Sequence, residues 1–403
     1  MPILSRVGTG LFLKSAGGGG GGSAEPGEAV FHADKTTQIA TFGAYSPYTW
    51  TVPEGVTEIS VVCIGGGGSG CPQHDGESGS GGGLAYKNNL AVTPGSTISV
   101  TVGGGGGNLS YGSNGNHGEN SWIVVDGVAY AVAGGGRAGA PMGANGYFDN
   151  SNFGSPQSQP SDRYDGGGRG GAGYEQTGCR QSGGGCGGYS NSADNGNSAQ
   201  GGQCGNPSYA GTNATGGTLG GGGGGMSNNG SSAYYASGGG GTGIYGKGSN
   251  GSAGGNGFND ELTPVGKGGS SDPWTYETNG LTVNAYTNTT GLRGYSNGSP
   301  WNTFAWSGNG NEIDPSSPNG YRRGNDTQGQ GSTRPDGGFP GGGGGGGNGG
   351  SAAGFGGHGC VRIVWGTING MKREFPNQGV NLTTAYPGLS GATVDENGRQ
   401  MMY

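Results

Sequence analysis

Few residues in this chain have the types and spacing that chemistry requires. Gly241-Thr-Gly243-Ile-Tyr-Gly246 fits G-x-G-x-x-G, the spacing with which a strand–turn–helix cradles a pyrophosphate. No strand and helix pattern flanks it, and 109 of the 403 residues are glycine, so the spacing arises by chance. Gly246-Lys247-Gly248 and Gly266-Lys267-Gly268 lack the Ser or Thr that holds the metal in a phosphate-binding loop, and both read as turns. His32, His74, His117 and His358 are scattered through unlike segments, and no nucleophile, base and orienting acid can be grouped with them. The reading is a protein without catalytic residues, metal or cofactor. Cys63 and Cys360 sit inside apolar runs and read as free buried thiols. Cys71, Cys179, Cys186 and Cys204 lie in Gly-rich stretches where cross-linking is open, but no C-x-x-C pair points to zinc. Gly168-Arg169-Gly170-Gly171 is a lone RGG in a chain of net charge -7, so nucleic acid is not the expected partner.

Aromatic residues supply the remaining signal. Trp274, Tyr276, Tyr286, Tyr295, Trp301, Phe304, Trp306 and Tyr321 stand among Asn, Ser and Gly. Rigid amphipathic rings beside adaptable polar groups make a binding surface at low entropic cost, and rings with Asn and Ser also suit sugars. The same rings could instead cap a scaffold or form a satellite core. As binding residues they are the candidate receptor contacts.

The elements that must position them fall into two kinds. Ile39 to Val52, Val56 to Ile64, Leu84 to Val92 and Ser96 to Val102 are β-branched and aromatic runs. Pro53-Glu54-Gly55 and Thr93-Pro94-Gly95 supply turns between them. Ile98, Val100 and Val102 alternate with Ser99 and Thr101, the period of a half-buried strand. Ser121–Val125 and Val128–Val132 flank Asp126-Gly127, a strong hairpin signal. Cys360-Val-Arg-Ile-Val-Trp365 is a further strand at the far end of the sequence, expected to pair with the N-terminal strands. The Arg362/Ile363 alternation there calls for a partner face.

Between Gly134 and Gly359 the material changes. Gly220–Gly225 and Gly341–Gly347 are unbroken glycine, and other tracts alternate with polar segments, while no helical stretch is legible. With 29% hydrophobic residues overall, burial cannot offset the ordering entropy of this region. Glycine chains can, however, form left-handed helices of three residues per turn whose N–H and C=O groups point outward and pair between neighbours. No strict Gly-X-Y repeat is present, so collagen is excluded. The fold class expected is all-β: a β-sandwich-like domain with a long inserted polyglycine II bundle and little or no α-helix. Its parts are an N-terminal attachment segment (1–37), the sandwich (38–133 with 360–366), the glycine-rich insertion (134–359) and a C-terminal extension (367–403). The first residues are broken by Arg6, Gly8 and Gly10 and do not read as a secretory signal.

Tyr48 to Gly68 (YTWTVPEGVTEISVVCIGGGG), Gly83-Leu-Ala-Tyr-Lys-Asn-Asn, Val92-Thr-Pro-Gly-Ser and Gly359-Cys-Val-Arg-Ile-Val-Trp-Gly, with Arg373-Glu-Phe-Pro after it, resemble the glycine-rich domain proteins of tailed bacteriophages. The resemblance spans about Ile39 to Pro376. More distantly, the tracts are similar to tail-fibre adhesins in which polyglycine II helices carry tip loops that bind the host. The resemblance implies a virion protein made in the host cytoplasm, a tail-fibre or tail-tip adhesin without chemistry. It implies other virion proteins as partners through the N-terminal segment and a host cell-surface receptor, glycan or outer-membrane protein, with homo-oligomers possible. The chain departs from those adhesins in its longer loops and its own strand domain. A purely structural fibre or capsid-decoration protein is the alternative reading. An ice-binding glycine-helix protein is a third, disfavoured because no regular tripeptide builds a flat face.

Overall fold

The computed structural model describes residues 24–32, 48–71, 78–107, 115–139, 160–173, 183–190, 200–201, 215–224, 238–244, 246–247, 250, 337–338, 341–345, 353–368 and 371–376, with short strands elsewhere. Among them there is no α-helix, and the fold is all-β.

The strands begin with β1 (Arg6–Val7), β2 (Gly10–Phe12) and β3 (Gly27–His32), then β4 (Tyr48–Thr51), β5 (Glu58–Ile64), β6 (Leu84–Ala91) and β7 (Thr97–Thr101). They continue with β8 (Ser121–Val125), β9 (Val128–Ala133) and β10 (Gly166–Gly168). Two small hairpins follow, β11 (Asn228–Gly230) with β12 (Ala233–Tyr235) and β13 (Tyr276–Thr278) with β14 (Leu281–Val283). After them comes β15 (Cys360–Trp365). One antiparallel sheet has the order β1-β2-β3-β15-β5-β6-β10, and a second has the order β4-β7-β8-β9.

Turn chemistry sets this topology. Asp126 and Gly127 both take positive φ, 49° and 76°, as a two-residue hairpin turn demands. At Thr93-Pro94-Gly95 the turn closes through a 3.0 Å bond from Ser96 N to Thr93 O, with Gly95 at φ 78°.

β15 lies between β3 and β5, antiparallel to both, with Ile363 opposite Ala29 on one side and Val61 on the other. The expected return of Cys360–Trp365 to the N-terminal strands is thus present, and a strand from within residues 1–37 stands beside it. Alternation along β15 sends Val361, Ile363 and Trp365 into the core between the sheets, with Ile59, Val61, Trp50, Ile98 and Ile123. Cys360 and Val364 face a second core with Val62, Ile64, Leu84, Tyr86, Cys186, Tyr189, Ile244 and Phe375. Both faces of the long sheet are covered, which is why its central strands read as continuous apolar runs. Arg362 does not mark a solvent face. It is fully buried and pairs with Glu28 at 2.6 Å, and Arg373 joins the same carboxylate at 3.3 Å. Arg362 also donates to the Ile244 carbonyl, and Arg373 to that of Gly27. This cluster ties two sequence-remote segments, at Ile244 and at Arg373, to the neighbouring strands β3 and β15.

Candidate functional site

The strands do not end at solvent. Where β5 stops at Ile64, β6 begins at Leu84 and β8 begins at Ser121, the chain continues as glycine-rich extended tracts with a regular bonding pattern. In residues 65–70, Gly65 and Gly68 donate to Gly83 and Ser80, each at 2.9 Å. Gly66 and Ser69 donate to Glu119 and Asn116, each at 3.0 Å. Gly67 and Gly70 donate to Gly357 and Gly354, at 2.8 and 2.9 Å. Every third residue addresses the same neighbour, so the tract is a screw of three residues per turn, the polyglycine II conformation.

Its carbonyls serve other neighbours. Gly136 and Gly139 donate to Gly66 and Ser69, Gly106 to Gly67, and Gly344 to Gly68. Residues 65–70 are therefore surrounded by six tracts in hexagonal packing. Residues 341–345 have six such neighbours too, through bonds with His358, Gly338, Gly184, Gly68, Gly79, Gly82 and Gly239. Residues 183–188 bond with Gly79, Gly82, Gly171, Gly222, Gly240 and Gly343. Sequence and position agree: the surrounded tracts read GGGGSG, GGGCGG and GGGGG. A Cβ on Gly66 would fall onto the Gly104 carbonyl, on Gly67 onto that of Gly342 and on Gly344 onto that of Gly354. A Cβ on Gly65, Gly68, Gly183 or Gly343 likewise meets a neighbour's carbonyl.

Rim tracts carry side chains, and some take the place of missing carbonyls. His117 Nδ1 accepts from Ala138 N at 2.9 Å and Asn120 Oδ1 from Gly135 N at 2.8 Å. His358 Nδ1 accepts from Gly105 N at 2.9 Å, Glu119 Oε2 from Gly104 N at 3.2 Å, and Ser121 Oγ from Gly103 N at 2.8 Å. Ser80 Oγ accepts from Arg137 N at 2.6 Å and Asn250 Oδ1 from Gly220 N at 2.9 Å. Reading the sequence by motif missed these residues. Their signal is an Asn, His, Ser or Glu interrupting a glycine tract, which composition alone does not separate from a loop.

The lattice has two unlike ends. One is continuous with the sandwich. At the other, Gly70 bonds Gly354, Gly115 bonds Gly139 and Gly354 bonds Gly345. The described residues that flank 72–77, 108–114 and 346–352 in the sequence lie at this far end. Tracts from both sides of Gly134 contribute, so the lattice is woven from nearly the whole length of the chain. Residues 220–224 and 341–345 both belong to it, but the bonds among the described residues join them through Cys186, Gly184, Gly239 and Gly240, not directly.

Of the aromatic candidates, Tyr276 lies on β13, paired with Val283. Trp274, Tyr286, Tyr295, Trp301, Phe304, Trp306 and Tyr321 lie outside the described residues, as do Cys179 and Cys204. Cys63, Cys186 and Cys360 are free and buried, Cys71 is buried, and burial pushes the Cys360 thiol up to about 12. Among the described residues no group of three or more His, Cys, Asp or Glu could hold a metal ion.

A family model described as a glycine-rich domain matches residues 40–259, more than half of the 403-residue chain. No curated protein matches it. The match runs from β4 through the sandwich strands and into tract 238–243, the material that forms sheet and lattice together. On that extent, the chain belongs to the glycine-rich domain family.

Proposed function

We propose that the chain is a structural virion protein of a tailed phage, a tail-fibre or tail-tip adhesin whose lattice holds receptor-binding loops. The observation that carries the reading is the far end of the lattice. Backbone bonds in three directions make a stem from residues with almost no side chains, and the described residues that flank 72–77, 108–114 and 346–352 meet at its end remote from the sandwich. Loops on a rigid scaffold are how many proteins present binding residues. The resemblance of Tyr48 to Gly68 and Gly359 to Gly366 to phage glycine-rich proteins supplies the particle. The aromatic residues from Trp274 to Tyr321 supply contact chemistry suited to a surface glycan or an outer-membrane protein. The N-terminal residues would attach to other virion proteins. No chemistry on the bound receptor is assigned.

Immunogold labelling of intact particles carrying the protein, together with competition of adsorption by the purified chain, tests this. Label at the fibre or tail tip with competition supports the adhesin. Label on the capsid or fibre shaft without competition turns the reading into a scaffold role, and absence from particles removes the virion assignment.

A further inference from the structure

His117 and His358 do the same work at two places on the lattice rim. Each sits on a glycine-rich tract, and each presents Nδ1 as the acceptor for a neighbouring tract's backbone N–H, from Ala138 and Gly105, both at 2.9 Å. Elsewhere in the lattice that acceptor is the Glu119 carboxylate, a peptide carbonyl, or an Asn or Ser side-chain oxygen, and apart from the carboxylate none of these takes a proton in water near neutrality. An imidazole does. With Nδ1 accepting, the ring proton is on Nε2. Protonation turns Nδ1 into a donor and sets an N–H against the N–H that it had accepted.

We propose that the rim formed by tracts 103–107, 115–120, 134–139 and 353–359 is an acid-sensitive seam, held closed by neutral His117 and His358 and released when they are protonated. The seam matters because of what it anchors. Gly107 and Gly115 are the two stems of segment 108–114, and Gly139 is the point from which segment 140–159 departs. These flanking residues lie at the end of the lattice remote from the sandwich. Residues 183–188 bond to none of the seam's tracts and residues 341–345 only to 353–359, so acid loosens one side of the lattice, residues 65–70 included, and leaves the side around 183–188 intact.

The surrounding charges fix the direction. Burial, and then the Arg137 guanidinium on the adjoining tract, hold the His117 imidazole below its ordinary value. A lowered folded value favours the neutral ring, so the stability it contributes is present above the unfolded value of about 6.5 and is lost as pH falls below it. Glu119, on the same tract, has the opposite sign. Burial raises its carboxyl, partly offset by the Gly104 N–H, so its contribution grows as pH falls. The His358 imidazole accepts from Gly105 and its carbonyl accepts from Gly341, both on tracts of glycine alone. Glu28, held low by its two arginines, weakens the fold only below its ordinary value of 4.5. Between about pH 6.5 and 5 Glu28 therefore stays out of play, Glu119 acts with the opposite sign to the histidines, and replacing the histidines separates the two.

Hydrogen exchange by mass spectrometry on the full chain at pH 7.5 and 5.2, corrected for intrinsic rates, tests the seam. Peptides covering 103–107 and 134–139 are expected to lose protection by about tenfold or more at pH 5.2, while those covering 183–188 hold. The double variant His117→Asn/His358→Asn keeps an acceptor that does not titrate, and its rim should stay protected at both pH values. Rim protection unchanged at pH 5.2 in the wild type, equal loosening in the double variant, or loosening of residues 183–188 together with the rim each overturns the proposal. Should the double variant not fold, NMR titration of the two imidazoles in the wild-type chain decides. Rim exchange that follows their protonation upholds the seam, and exchange that does not follow it overturns the seam.

Discussion

Gly344 shows what a single residue does in this molecule. Its N–H donates to Gly68 O at 2.9 Å, its carbonyl accepts from Gly79 at 2.8 Å, and a Cβ would strike the Gly354 carbonyl. The added atom cannot be accommodated by a rotamer, because what it meets is backbone bonded to other backbone. Gly344→Val is expected to destabilise the protein by about 3 kcal/mol or more, as overpacking and broken buried bonds combine, with denaturant melts as the measure. Near-neutral behaviour would mean the tract is not packed. Glu28 makes the complementary case on the sheet. Burial alone would raise its carboxyl, but the Arg362 and Arg373 guanidiniums beside it hold it below the ordinary carboxylate range. A depressed folded value means the stability it contributes is present above about 4.5 and lost as pH falls through the folded value. Glu28→Ala leaves two buried guanidiniums without their anion and should cost about 3 to 5 kcal/mol. The same variant should flatten the acid limb of the stability profile below pH 4.5, and an unchanged limb would show that the cluster does not govern acid unfolding.

Elements of two kinds make the fold, and they differ in how they are stabilised. Strands β5 and β15 are held by apolar burial on both faces, whereas the tracts are held by bonds alone. Rim side chains should then contribute about what one hydrogen bond does. Asn120→Ala, which removes the acceptor for Gly135 N, is expected to lower stability by about 1 kcal/mol in a thermal or denaturant melt. A loss as large as that of Gly344→Val would contradict the distinction between rim and centre. The strands and their turns were legible in the sequence because each leaves a local mark: the alternation of Ile98, Val100 and Val102, the Asp126-Gly127 pair, the run from Cys360 to Trp365. Polyglycine II was legible as a conformation from the entropy argument. The pairing of tracts was not, because glycine carries no side chain to encode a register. Which tract bonds which is set by where the strands deliver them and by the few residues that interrupt them. β3 was missed for a related reason, since Gly27–His32 lies in a segment whose charge and glycine do not alternate cleanly, and its burial depends on Arg362 and Arg373. The aromatic candidates were legible as a composition, and only Tyr276 has a place among the described residues, on β13.

At the scale of the whole molecule the sandwich and the lattice are one body, because the same tracts extend the strands and form the hexagonal array. A stem of this kind is held along its length by bonds in three directions. On the proposed function, Trp301→Ala/Trp306→Ala should abolish adsorption of particles to their host and leave the melting temperature nearly unchanged. A large drop in melting temperature would assign those rings to packing. The account stands most directly on the order of the lattice itself, and amide hydrogen exchange at neutral pH across residues 65–70, 183–188 and 341–345 measures it. Glycine amides in a flexible tract exchange within seconds at that pH, whereas amides bonded between tracts open only with the fold. The account predicts protection in all three tracts comparable to that of β5 and β15. Exchange in those tracts at the rate of an unstructured chain, with the strands still protected, would contradict it.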